Sequence, residues 1–274
     1  MVDIFSAVVL GIIQGLTEFI PISSTAHLRI ASVFLNIPDP GAAYSAVIQL
    51  GTLLSLLVYF RDDLVKFATA GIRGLFSGAP FRDQDARMVW FLVIGTIPVS
   101  VFGLLLSDYI KGPFRSLYVI AGSLIGLGII LWLVDWLSAK SRDISTLNWL
   151  DALWIGVGQS LALIPGASRS GTTLTVGLLR GFDRYAAMRF SFLLSIPAIA
   201  LSGVYELIKD FHELESAGLA GLVVGTVTAA VVGYLAVAGL LRYLRTRSTL
   251  PFVLYRIGMG VLLLVLLYAG LIDP

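Results

Sequence analysis

Long uncharged stretches alternate with short clusters of charge along this chain, and the alternation predicts its elements. Uncharged runs occupy residues 4–17, 40–60, 88–107, 116–134, 152–168, 190–205, 216–241 and 257–272. Crossing about 30 Å of hydrocarbon takes a helix of about 17–25 mostly apolar residues. The runs 40–60, 88–107, 116–134 and 216–241 reach that length outright. Those at 190–205 and 257–272 are slightly short, but Arg189, Glu206 and Arg256 at their ends can snorkel to the interface. Six transmembrane helices are expected.

The runs 4–17 and 152–168 end differently. The first meets Glu18, Pro21, Ser23, Ser24, Thr25 and His27; the second meets Pro165, Gly166, Ser168, Arg169, Ser170, Gly171, Thr172 and Thr173. Each is an apolar half-helix broken by a proline and a polar cluster. Asp3 sits where a signal peptide needs a basic region, and no small-residue cleavage site follows, so the first run is expected to stay in the fold. Broken backbone at membrane depth is tolerated where it lines a protein-enclosed cavity. Both segments are therefore read as re-entrant.

Charge sets the orientation. Loops 61–87, 135–151, 180–189 and 242–256 hold 14 Lys and Arg, against 4 in 27–39, 108–115 and 206–215. The loop 206–215 is also acidic, with Glu206, Asp210, Glu213 and Glu215. The basic set is expected in the cytoplasm and both termini outside. Six spans alternate without conflict only if the first broken segment dips in from outside and the second from the cytoplasm. The fold expected is an all-α polytopic membrane protein: six transmembrane helices plus two re-entrant broken helices in an inverted-topology repeat. It forms a single integral membrane domain, 1–274, with halves near 1–138 and 149–274. Aligning the prolines of QGLTEFIPISS and QSLALIPGAS sets Ser24 opposite Ser168 and leaves Gln14 and Gln159 one residue out of step. The similar stretches 91–103 and 192–203 lie in spans running the same way and do not fit the inversion.

Composition sharpens the class. Of 274 residues 57% are hydrophobic and 13% charged, with mean hydropathy +0.91; soluble domains carry about 25% charged residues. A soluble globular protein, a disordered chain and a nucleic-acid binder are set aside, the net charge being only +2. With no cysteine and two histidines, disulfides, thiol nucleophiles and multi-histidine metal centres are ruled out. Gly122/Gly126 and Gly221/Gly225 have the spacing of close helix packing. Trp132, Trp136, Trp149 and Trp154 suit an interfacial belt. Tyr255 and Arg256 are expected to snorkel before the last span.

The chemistry gathers at the broken segments. An ionisable group near the bilayer centre costs about 2.5–3.5 kcal/mol on insertion scales, so it usually has a partner or a task. If both tips reach the midplane, Glu18 and Arg169 converge. An ion pair locking two halves together accounts for the charges alone, not for the flanking hydroxyls Ser23, Ser24, Thr25, Ser168, Ser170, Thr172 and Thr173. In PGASRSGTT (165–173), Gly166 and Gly171 let backbone approach a ligand, a helix start offers free N–H groups, and Arg169 offers a fork of donors suited to phosphate. In QGLTEFIPISSTAH (14–27), Gln14 and Glu18 share a helix face and suit a hard cation such as Mg²⁺ or Ca²⁺. Ser24 is a candidate nucleophile and His27 a candidate general acid or base.

Together the motifs Gln14-xxx-Glu18, Pro21-x-Ser23-Ser24-Thr25-x-His27 and Pro165-Gly166-x-Ser168-Arg169-Ser170-xx-Thr173 resemble those of the undecaprenyl-diphosphate phosphatase family, the bacitracin-resistance membrane phosphatases. The late PFVLYR run at 251–256 and the chain length agree with it. The resemblance implies removal of the terminal phosphate of a C55 polyprenyl diphosphate in the bacterial inner membrane, which recycles the carrier for peptidoglycan synthesis, with the help of a divalent cation. It implies Glu18, Ser24, His27 and Arg169 as catalytic residues. It also implies Ser23, Thr25, Ser168, Ser170, Gly171 and Thr173 around the substrate, and Glu18 with Gln14 at the metal. Gln14 stands where other members carry Glu, which leaves Glu18 as the acidic ligand. The partners implied are the lipid substrate and membrane lipids, with no nucleic acid; a homodimer is compatible. The competing classes are a secondary transporter, whose broken helices also meet at the midplane around anionic substrates, and a lipid flippase.

Overall fold

The computed structural model describes residues 2–35, 41–106, 109, 116–209 and 218–273. Residues 36–40, 107–108, 110–115 and 210–217 lie outside them, and with them most of 108–115 and 206–215, two of the three loops expected opposite the basic face. Among the described residues none belongs to a strand; an isolated bridge joins Arg142 and Phe182. The helices are α1 (Ile4–Phe19), α2 (Ser24–Phe34), α3 (Gly41–Tyr59), α4 (Arg61–Phe76), α5 (Gln84–Leu105) and α6 (Leu117–Leu137). They continue as α7 (Trp149–Ser160), α8 (Arg169–Leu179), α9 (Arg184–Lys209), α10 (Leu219–Leu244) and α11 (Leu250–Tyr268).

Stretches within α5, α6, α9, α10 and α11 are long and apolar enough to cross a membrane. The run 40–60 forms α3, which meets that test together with α4 across a 77° bend. The segment 61–87, expected as a loop, therefore holds a helix. Its composition explains the bend: Asp62 and Asp63 open α4, Arg73 closes it, and Val65, Ile72, Leu75 and Phe76 stay exposed. Such a helix suits a membrane surface better than its interior. Trp132, Trp136, Trp149 and Trp154 are all exposed.

The two broken runs fold as helical hairpins, α1 with α2 and α7 with α8. Each first arm is seated by glycines. A side chain at Gly11 or Gly15 would strike Gly225 O and Thr228, or Val232 and Ala229 O, of α10. Gly95 and Gly156 bring α5 and α7 equally close. Without a hydrophobic driving force inside lipid, such backbone contacts are what bind helices together. Gly221 and Gly225 serve the same purpose, against Val2 O and the Tyr44 hydroxyl. Gly122 and Gly126 do not: a side chain at either would meet nothing among the described residues.

At the foot of the second hairpin, the buried Asp151 carboxylate accepts from Arg142 at 2.6 Å and Arg180 at 2.7 Å. Asn148 and Asp151 also cap the start of α7 reciprocally. Nearby Asp135 accepts from Arg184 at 2.7 Å and from the Thr249 hydroxyl at 2.6 Å, tying α6 to the starts of α9 and α11. These arginines belong to the basic loops, where they are spent on holding the fold.

Candidate active site

Both hairpins turn by the same local rule. A proline disfavours helical backbone in the residue before it, so Ile20 (ψ 135°) before Pro21 and Ile164 (ψ 120°) before Pro165 are extended. The chain then re-enters a helix through a serine in the left-handed region, Ser23 (φ 77°, ψ 105°) and Ser168 (φ 71°, ψ 114°). Each serine caps the new helix, accepting from the Ala26 or the Gly171 amide. The matched serines correct the register read from the prolines: Ser23, not Ser24, stands opposite Ser168. Gln14 and Gln159 then fall in step and the prolines fall one apart, because the second hairpin spends its extra residue on Gly166 (φ 89°), packed on Ile120 O. In this register Ser24 and Arg169 are each the first residue of the returning helix.

A pocket opens between these turns, lined by Glu18, Ser23, Ser24, Thr25, Gln49, Ala162, Ser168 and Arg169. Glu18 and Arg169 thus share one cavity. The largely buried Glu18 takes two donors on Oε2: the Ser24 hydroxyl at 2.7 Å and Gln14 Nε2 at 3.0 Å. A hydroxyl hydrogen-bonded to a carboxylate is the arrangement of a nucleophile beside its base. Across the pocket, Arg169 keeps a buried Nη1 with no partner among the described residues. The free amides at the starts of α2 and α8 add partial positive charge. The pocket accordingly has the parts to hold a phosphoanhydride and to attack it.

The other expected site residues are placed differently. Ser170 bonds Ser168 Oγ at 3.2 Å, the Gly171 amide caps on Ser168, and the fully buried Thr173 bonds Ser191 at 2.5 Å and Arg169 O at 2.7 Å. None of the three lines the pocket; they brace the turn behind it. His27 is turned away from Ser24, with Nδ1 on Ser23 O at 2.7 Å and Nε2 on the Tyr255 hydroxyl at 2.6 Å.

Two participants went unread in the sequence. Gln49, from the middle of α3, reaches the pocket wall; its polarity inside an apolar run was the available signal. Arg256, expected to snorkel, is 0% exposed. It donates to the carbonyls of Pro21, Ser123, Leu124, Gly166 and Ala167. One guanidinium therefore fastens both hairpin turns to α6. Snorkelling fails because the Pro21, Gly166 and Ala167 carbonyls, freed by the two breaks, need donors inside the protein.

Residues 7–262 match the family of the bacitracin resistance protein BacA. The chain belongs to that family. It is 55% identical over 273 residues to an undecaprenyl-diphosphatase of Myxococcus xanthus, covering 99% of this chain and 92% of that one. It is 50% identical to one from Chloroherpeton thalassium, with 99% of each covered. It is 47% identical to one from Thermobifida fusca, covering 99% of this chain and 93% of the relative. In this BacA family chain, all three motifs meet at the two turns and the helix starts just described.

Proposed function

We propose that the protein is a membrane phosphatase that hydrolyses undecaprenyl diphosphate to the monophosphate and inorganic phosphate in the bacterial inner membrane, recycling the lipid carrier for peptidoglycan synthesis. The observation that carries the reading is the Ser24–Glu18 hydrogen bond facing Arg169 across one pocket. The isoprenoid tail stays in lipid while the diphosphate enters between the turns. Arg169 and the helix starts neutralise the charge that shifts during in-line displacement, the dominant need in phosphoryl transfer. Ser24 Oγ bonds to the terminal phosphorus as its proton passes to Glu18. The anhydride P–O bond breaks, its electron pair leaving with the lipid monophosphate. Water then cleaves the phosphoserine, giving its proton to the carboxylate side, and Ser24 recovers its own. A carrier for an anion accounts for Arg169 but has no use for a serine bonded to a carboxylate.

A divalent cation, Mg²⁺ or Ca²⁺, fits this donor set. Glu18 supplies a carboxylate, and Gln14 a buried Oε1 that lacks a partner among the described residues. Among the described residues no group of three or more His, Cys, Asp or Glu could hold a metal unaided. Glu18 and Gln14 would hold the ion together with diphosphate oxygens, and it would supply neutralising charge there.

The proposed topology is an inverted repeat of two hairpin-plus-three-span halves with both termini outside. Matched torsions at Ser23 and Ser168 support it. So does the exchange of partners between halves: α1 packs on α10 of the second half and α7 on α5 of the first. The lysine and arginine bias supports the direction.

The test is acid quenching of purified protein turning over substrate labelled on the terminal phosphate. Label on Ser24 is expected, and Ser24→Ala should abolish both label and phosphate release. Turnover by Ser24→Ala would refute the assignment.

A further inference from the structure

His27 lies one helical turn beyond Ser24, where a general base for the serine is the obvious reading, yet both its ring nitrogens are committed elsewhere. Nδ1 sits 2.7 Å from Ser23 O, and a carbonyl can only accept, so Nδ1 carries a proton. Nε2 lies 2.6 Å from the Tyr255 hydroxyl, which donates to it when the ring is neutral. The two rings also stack, 5.5 Å apart and 16° from parallel. Ser24 meanwhile gives its hydroxyl proton to Glu18, so the base position is filled.

What His27 holds is the carbonyl of Ser23, a residue with a side chain in backbone conformation that favours glycine (φ 77°). Such a residue persists where its surroundings over-determine it. Its hydroxyl caps α2, its carbonyl receives His27, and Arg256 grips Pro21 O at 3.3 Å just before it. Tyr255 and Arg256, neighbours on α11, thus act together on the first turn: one fixes the ring that fixes Ser23, the other fixes the residue leading in. Arg256 alone serves the second turn, at Gly166 O and Ala167 O, where residue 172 is a threonine.

We infer that His27 is a positioning residue rather than the acid or base of the reaction: clamped by Tyr255, it holds the left-handed Ser23 turn that aims Ser24 at the substrate. The inference rests on the phosphatase reading above, with Ser24 as nucleophile. Its test uses an asymmetry of side-chain shape. Asparagine puts an amide N–H near the place of Nδ1, whereas glutamine puts one near Nε2.

His27→Asn should keep the Ser23 bond and retain turnover within about fivefold of wild type, the equivalent of one neutral hydrogen bond. His27→Gln and His27→Ala should lose about a hundredfold in kcat, as misplaced reacting groups do, with KM little changed. A His27→Asn protein that folds but is as inactive as His27→Ala would overturn the inference, as would full activity in His27→Ala. Should His27→Asn fail to fold, nitrogen NMR on wild-type protein in lipid decides. The chain has two histidines, and His212→Asn identifies the other signal. A neutral His27 protonated on Nδ1 is expected; a proton on Nε2 sinks the proposal. Failure of the phosphatase reading shows separately, as turnover surviving Ser24→Ala.

Discussion

The two hairpins share a backbone and divide the chemistry. Each carries a buried glutamine nine residues before its left-handed serine, an extended isoleucine before a proline, and a helix that restarts on the residue after the serine. They differ where it matters for a reaction. The first has Glu18 five residues before its serine and Ser24 just after; the second has Leu163 and Arg169 in those places. In the proposed reaction the first turn therefore presents a nucleophile with a proton acceptor, and the second a guanidinium with an unsatisfied donor. On the proposed function, two matched hairpins supply two helix starts facing one pocket, and a few substitutions let one hairpin attack and the other clamp.

The largest effect should come from breaking the second hairpin's contribution. Arg169→Ala is expected to cost about 10³–10⁵-fold in kcat, the range for an arginine that stabilises a phosphoryl-transfer transition state. Arg169→Lys should recover only part of this, since it keeps the charge and loses the planar fork. Phosphate release from purified, folded variants measures both. If Arg169→Ala turned over like wild type, the division of labour between hairpins would be wrong.

Next in size is the residue common to both turns. Arg256→Met keeps much of the side chain's bulk and removes every donor to Pro21, Gly166 and Ala167. Losing charged hydrogen bonds, each typically about 1.5–3 kcal/mol, should lower the melting temperature in detergent and reduce activity as well. An active Arg256→Met protein with unchanged melting would mean that the turns hold their shape without it.

How much of this was legible follows the range of each interaction. Spans were readable because crossing lipid is a property of one contiguous run, and the breaks because Pro21 and Pro165 act on their immediate neighbours. The register between hairpins was misread because the prolines are only the local cause of each break. The conformation that matters belongs to Ser23 and Ser168, and serine does not advertise positive φ. Glu18 and Arg169 could be paired from cost alone, as charges in apolar surroundings. Arg256 could not: its acceptors are backbone carbonyls up to 235 residues away, invisible to any pattern of side chains. The same holds for Tyr255, whose partner His27 lies in the opposite half.

The smallest effect separates the two glutamines, and it tests the comparison most directly. Both are fully buried. Gln14 Nε2 donates to Glu18, whereas neither polar side-chain atom of Gln159 has a partner among the described residues, its equivalent of Glu18 being Leu163. A buried amide with nothing to bond costs free energy, so Gln159→Leu should stabilise the protein by about 1 kcal/mol and leave phosphate release unchanged. Gln14→Leu should do the reverse. It strips Glu18 of a donor and, at the proposed cation site, removes a ligand, so turnover should fall and the cation concentration needed for half activity should rise. Paired thermal melts and cation titrations on the two variants read this out. Equal losses of activity would mean that Gln159 also serves the reaction, and that the second hairpin does more than clamp.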